Sequence, residues 1–159
     1  MKGIRGTERL HELPGYSGTP LGKKLGLKPG MRVILLNPPS GYEALVAPVP
    51  PGVTFRRRLS AGIDMVHIFA TGKRRLSEAL RAVLPKLKPD GMIWVSWPKR
   101  SAGLATDITE DTVREIALPL GLVDIKVCAV DEVWSGLKLV IRKALRRPTS
   151  GSPSRTHRL

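Results

Sequence analysis

The hydrophobic pattern changes period twice between residues 62 and 98, and the rest of the chain is arranged around that change. Residues 62–70 (GIDMVHIFA) are almost all apolar and are bounded by a glycine and by Thr71-Gly72. A short unbroken run of this kind suits a parallel strand covered on both faces, where no alternation is needed. Over residues 73–88 the apolar positions Leu76, Ala79, Leu80, Val83, Leu84 and Leu87 fall on one helical stripe. Lys73, Arg74, Arg75 and Arg81 occupy the other side, as on an amphipathic helix. Lys88-Pro89-Asp90-Gly91 has the composition of a type I turn, with proline second and glycine fourth. A second apolar run, residues 92–97, follows and is stopped by Pro98. Strand, helix and strand in this order predict a βαβ unit.

The flanks extend the same frame. Thr19-Pro20 reads as a cap followed by proline at the first helical position, opening a short helix that ends at Gly26. Residues 31–36 form an aliphatic strand that leaves through Asn37-Pro38-Pro39-Ser40-Gly41. A short helix over residues 42–47 and a strand from Val53 into Arg56-Arg57-Arg58 come next. Thr109 caps a helix with Glu110 and Asp111 in its first turn and Val113, Ile116, Ala117 and Leu120 on its buried stripe. Residues 122–128 alternate like a half-exposed strand, and residues 137–142 are its expected hairpin partner, leaving residues 131–136 as the loop between them. The predicted fold class is α/β, with a Rossmann-like, mostly parallel sheet of about six strands, helices on both faces and a C-terminal antiparallel hairpin. The expected organisation is an N-terminal loop segment (1–18), one α/β domain (19–143) and a basic disordered tail (144–159).

Charge changes this picture only in part. The 159 residues carry a formal net charge of +14. Residues 142–159 hold Arg142, Lys143, Arg146, Arg147, Arg155 and Arg158 with no acid, so the remaining body has 21 bases against 13 acids. Such an excess favours encounter with nucleic acid through the tail without specifying it. A single cysteine, Cys128, excludes a disulfide framework within the chain and fits a reducing cytoplasm. No apolar run approaches the ~20 residues of a membrane span.

The segment Leu84-Pro85-Lys86-Leu87-Lys88-Pro89-Asp90-Gly91-Met92-Ile93-Trp94-Val95 resembles a signature of class I S-adenosylmethionine-dependent methyltransferases. The closing hairpin is similar to the one that ends that fold. Gly15-Tyr16-Ser17-Gly18-Thr19-Pro20-Leu21, Ser96-Trp97-Pro98-Lys99 and Trp134-Ser135-Gly136-Leu137-Lys138 resemble an uncharacterised bacterial domain-of-unknown-function family. The methyltransferase resemblance covers residues 19–142 and implies a parallel sheet with one reversed strand, lacking one strand–helix unit between Arg58 and Gly62. It also implies S-adenosylmethionine as a cofactor, held by a glycine-rich loop after the first strand and an acid at the end of the second. Here that loop is Asn37-Pro38-Pro39-Ser40-Gly41, no two of the 16 glycines are spaced Gly-x-Gly, and the second strand ends in three arginines. A binding or regulatory module is therefore the leading expectation, with methyl transfer through a non-standard loop as the enzyme alternative. The arginines read as an exposed basic strand end or as a site for a phosphorylated ligand.

Ligands of open α/β sheets bind beyond the carboxyl ends of the strands. That rule selects Asn37, Ser40, Gly41 and Thr71 as candidate cofactor contacts. It also selects Trp97, Lys99, Asp131, Glu132 and Trp134 as a rim for a small ligand or protein partner, with the tryptophans either as aromatic walls or as covers of the sheet end that leave the charges in solvent. Asn37-Pro38-Pro39 resembles the base-gripping motif of amino-directed nucleic-acid methyltransferases, but Ser40 replaces its aromatic residue. His67 reads as a satisfied core histidine and Cys128 as core. His11 and His157 lie in the loop and tail, so no metal cluster is expected. Ser17 and Ser135 lack the context of an activated nucleophile.

Overall fold

In the computed structural model, which describes residues 18–146, the apolar runs resolve into two interleaved faces of one sheet. The strands are β1 (Arg32–Leu36), β2 (Thr54–Arg56), β3 (Ile63–Phe69), β4 (Leu87–Pro98), β5 (Leu122–Ala129) and β6 (Trp134–Ile141). Their order across the sheet is β2-β1-β3-β4-β6-β5. β1 is parallel to β2 and β3, and β3 to β4, while β6 runs antiparallel between β4 and β5. This is the Rossmann-like mixed sheet with a terminal hairpin that the pattern predicts.

Among the described residues four α-helices cover it: α1 (Leu21–Leu25), α2 (Tyr42–Val46), α3 (Lys73–Val83) and α4 (Glu110–Ala117). α3 and α4 bury Leu76, Leu80, Val83, Val113 and Ala117 against Val66, Ile68, Ile93, Val95, Leu137 and Leu139. α1 and α2 bury Leu25, Tyr42 and Val46 against Val33, Leu35, Met65, Phe69 and Trp94 on the opposite face. Thr109 caps α4 through a reciprocal pair of bonds with Thr112. A cap of this kind contributes about 1 kcal/mol, whereas each fully buried Leu contributes roughly 1.5–3 kcal/mol. Packing therefore holds the helices in place, and the cap fixes where α4 begins. Arg114 on α4 bonds Asp124 of β5 at 2.9 Å and also pairs with Glu110 and with Asp111 at 3.2 Å, pinning the helix over the hairpin edge. Those bonds, to Asp124 first and then Glu110, raise the Arg114 pKa.

β2 passes directly into β3 through residues 57–62, with no strand–helix unit between them. Leu59 of this connection packs into the α3–α4 core, doing a small part of what a crossover helix would do.

Five local expectations are corrected. The helix over 73–88 ends at Val83 and gives way to a 3₁₀ turn, Leu84–Lys86, with Pro85 near its start. Residues 88–91 are not a free turn but an irregular stretch inside β4. Ile63 already pairs with Leu87, and the ladder resumes at Met65 with Met92. Lys88 is held there by Asp64 at 2.8 Å, and a Cβ at Gly91 would lie 2.7 Å from the Leu87 side chain. Burial opposes ionisation of Asp64, but Lys88 and the Arg32 backbone N–H outweigh it and lower the Asp64 pKa. Pro20, rather than Thr19, is the cap residue of α1, while Gly26 closes it in the left-handed region at φ 88° as expected. β6 begins at Trp134 rather than at 137, because Val130 and Asp131 donate backbone N–H bonds to the Trp134 carbonyl and shorten the loop. β5 does not alternate cleanly, because its register with β6 shifts between Asp124 and Lys126. The N-terminal loop through Ser17, with His11, and the tail from Arg147 onward, with His157, lie outside the described residues.

Candidate functional site

The carboxyl ends of β1 and β3 open into a cleft of about 680 Å³. Leu36, Asn37 and Pro38 form its β1 side, Ile68, Phe69 and Ala70 its β3 side, and Arg75, Glu78 and Ala79 of α3 its opposite wall. Arg57, from the connection after β2, completes the lining. Parallel strands that end together leave such a crevice because their connections turn away to opposite faces.

Asn37 sits at the mouth with φ 56°, in the left-handed region. Asparagine is among the few residues with a side chain that enter that region without large strain. It supplies the backbone reversal after β1 that a glycine would otherwise give. Of the other candidate contacts, Ser40 and Gly41 are exposed, and Gly41 is the cap residue of α2. Thr71 uses its carbonyl to accept the Thr106 hydroxyl at 2.7 Å and the Asp107 N–H at 3.2 Å. These bonds tie the loop after β4 to the end of β3. Only Asn37 of the four lines the cleft.

The cleft has an uneven charge. Glu78 is its one acid, and it pairs with Arg74 at 3.7 Å on the outer side of α3. Arg57 and Arg75 make no ion pair among the described residues. Arg75, Glu78 and Ala79 escaped the sequence reading, because the arginine fell on a face assigned to solvent. The available signal was positional: the first turns of a helix that follows a parallel strand stand at its carboxyl edge.

The five rim residues do not form a single wall. Trp97 packs into the α3–α4 core, whereas Trp134 lies on the other face, edge-on to Phe69 with ring centroids 5.1 Å apart. Trp97 pairs with Ser135 and Pro98 with Trp134 across the ladder, so the two indoles leave the sheet on opposite sides. Asp131 accepts the N–H groups of Val133 and Trp134, both at 2.8 Å, and so builds the hairpin turn. The Lys99 N–H bonds the Val133 carbonyl at 2.7 Å, and Glu132 is exposed.

A buried polar chain crosses the α1–α2 face behind the cleft. Tyr42 Oη lies 2.8 Å from His67 Nδ1, and His67 Nε2 lies 2.7 Å from Ser96 Oγ. All three side chains are buried, with His67 and Ser96 fully enclosed. The neutral imidazole donates from one nitrogen and accepts at the other, so the chain of bonds runs in a single direction. Burial lowers the His67 pKa to about 3 and raises that of Tyr42. His67 also stacks on Phe69, with ring centroids 4.3 Å apart. Its partners come from α2 and β4, so no local motif could announce them.

Among the described residues no helix is long and apolar enough to cross a membrane. Among solved structures, the chain is similar to a possible exported protein from Bordetella parapertussis (TM-score 0.54, 15% identity, 77% of this chain and 66% of that one). It is also similar to the Methanococcus jannaschii fibrillarin pre-rRNA processing protein (TM-score 0.54, 14% identity, 78% and 76%). A third likeness is to precorrin-6y C5,15-methyltransferase from Geobacter metallireducens (TM-score 0.50, 15% identity, 76% and 85%). At these identities the likeness is one of fold, and the fold is methyltransferase-like. No curated protein matches the sequence. The family model described as "Protein of unknown function (DUF3052)" matches residues 60–143, which span the organising βαβ unit, α4 and the hairpin. The chain belongs to that family.

Proposed function

We propose that this protein is a binding or regulatory module on a methyltransferase-like frame, taking a small phosphorylated ligand in the cleft beside Asn37. The observation that carries this reading is the pair of arginines, Arg57 and Arg75, lining the cleft without an ion-pair partner among the described residues. Guanidinium groups offer planar donor pairs that match phosphate oxygens. The apolar positions Leu36, Ile68 and Ala79 in the same lining suit a flat ring. A sulfonium cofactor is less well matched, since its positive centre would share the cleft with two guanidinium cations. The ribose-accepting acid expected at the end of β2 is replaced by Arg56-Arg57-Arg58.

The enzyme alternative, S-adenosylmethionine-dependent methyl transfer through the Asn37–Gly41 loop, draws its support from the fold. Calorimetry on the full chain separates the two, with ADP, S-adenosylmethionine and its demethylated product as probes. The expected result is ADP binding that weakens at least tenfold in Arg57→Gln/Arg75→Gln. Tighter binding of S-adenosylmethionine than of ADP, or ADP binding indifferent to the double substitution, overturns the proposal.

A further inference from the structure

Four lysines far apart in sequence meet on the α1–α2 face, beside the hairpin. Lys126 and Lys138 stand directly opposite each other on β5 and β6. Lys126 Nζ donates to the Lys24 carbonyl at 3.2 Å, and Lys24 Nζ donates to the Ala129 carbonyl at 3.3 Å. Lys138 Nζ lies 3.9 Å from where a Cβ at Gly26 would sit, just past the end of α1. Lys28 follows in the next turn and is close enough to repel Lys138 electrostatically, as Lys126 does. None of the four makes an ion pair among the described residues. The acid on β5, Asp124, is bonded to Arg114 of α4.

Like charges directly opposite in an antiparallel ladder are destabilising. Here the cross-strand pair is reinforced by two more cations with no acid to relieve them. The Lys138 pKa is lowered by burial first and then by Lys126 and Lys28, which reports the same crowding. Lysines are compact point charges without the fork that reads a planar group. Of the aromatic side chains of this face, Tyr42, Phe69 and Trp94 are buried and Phe55 and Trp134 are partly buried, so none is a fully exposed platform on which bases could stack. Closely spaced point charges without exposed stacking rings match the phosphates of a duplex better than a single strand.

We propose that Lys24, Lys28, Lys126 and Lys138 form a sequence-independent docking surface for the phosphate backbone of duplex nucleic acid. This surface is independent of the cleft and uses none of its residues. Arg142, Lys143 and Arg146 follow four to eight residues beyond Lys138, just past the end of β6.

The test is a salt titration of the full chain binding a labelled 20-bp DNA duplex of arbitrary sequence, read by fluorescence anisotropy. Four phosphate contacts contribute about 3 to 4 to the slope of log affinity against log salt. The variant K24Q/K28Q/K126Q/K138Q is expected to lose that increment, and the four-arginine variant to keep it. Thermal melts of both variants check that the fold is retained. If the glutamine variant fails to fold, the single variants K28Q and K138Q are each expected to lower the slope by about 1. A slope unchanged in the folded variants overturns the proposal. So does an equal loss on neutralising Lys73, Arg81, Lys86 and Arg100, which would show that overall charge alone acts. Binding of polyglutamate without binding of the duplex would assign the surface to an acidic protein and overturn it as well.

Discussion

The two faces of the sheet solve the same burial problem with different material. Under α3 and α4, helices of 11 and 8 residues, the sheet presents mainly aliphatic side chains, and few polar atoms need satisfying. Under α1 and α2, each of 5 residues, the helices are too short to roof the sheet, and large rings close it instead. Tyr42, His67, Phe69, Trp94 and Trp134 form one connected aromatic cluster. Rings with polar tips bring an obligation, because a buried donor without an acceptor costs about 1–3 kcal/mol. Trp94 Nε1 meets it by donating to the Leu25 carbonyl at 2.9 Å, next to the end of α1, and His67 meets it through Tyr42 and Ser96. Short helices thus go with aromatic and polar cores, and long helices with aliphatic ones.

Removing the largest fully buried ring of this face should do the most damage. Trp94→Ala should destabilise the protein by about 4 kcal/mol, since it opens a cavity and strips the Leu25 carbonyl of its donor. Leu80→Ala on the aliphatic face should cost about 3 kcal/mol. Urea unfolding of both variants gives the contrast directly, and equal losses would show that the two faces are held in the same way.

Acid should act on the aromatic face through His67. The folded pKa of His67, about 3, lies below its ordinary value of 6.5, so the unfolded chain takes up a proton that the native chain resists. The stability from neutral His67 is full above pH 6.5 and is lost as the pH falls toward 3. Between pH 7.5 and pH 4.5 the loss from this one group is roughly 3 kcal/mol. Replacement by glutamine should flatten the curve over that interval, whatever it does to stability at neutral pH. A profile that keeps its full slope in the His67→Gln variant would place the acid sensitivity elsewhere.

The smallest expected effect is on the aliphatic side. Thr109→Ala removes the cap of α4 and should cost about 1 kcal/mol in chemical denaturation. Amide exchange should quicken in the first turn of α4 and leave the α1–α2 face unchanged. Faster exchange at Trp94 or His67 would show that the faces do not act separately.

Legibility in the sequence followed the range of the interactions. The βαβ unit, the Thr109 cap and the Gly26 terminus were readable because each depends on neighbours within a few residues. The cleft was half readable. Asn37 lay at a strand end that topology favours, but Arg57 and Arg75 meet only when the β2–β3 connection and α3 converge. The indoles of Trp97 and Trp134 were expected on one wall. Their side of the sheet depends on register, and a shift of one residue moves a side chain to the other face.

Readable without the fold are the alternation of strand and helix, the βαβ frame, the absence of a glycine-rich loop after β1 and the arginines after β2. These are properties of periodicity and composition that no distant residue alters. Folding is what sets His67 between Tyr42 and Ser96, brings Arg57 and Arg75 into one cleft and gathers four scattered lysines. Each of these depends on which strands lie side by side and in what register. That is set by the packing of the whole sheet, since a local segment carries no record of its distant partner.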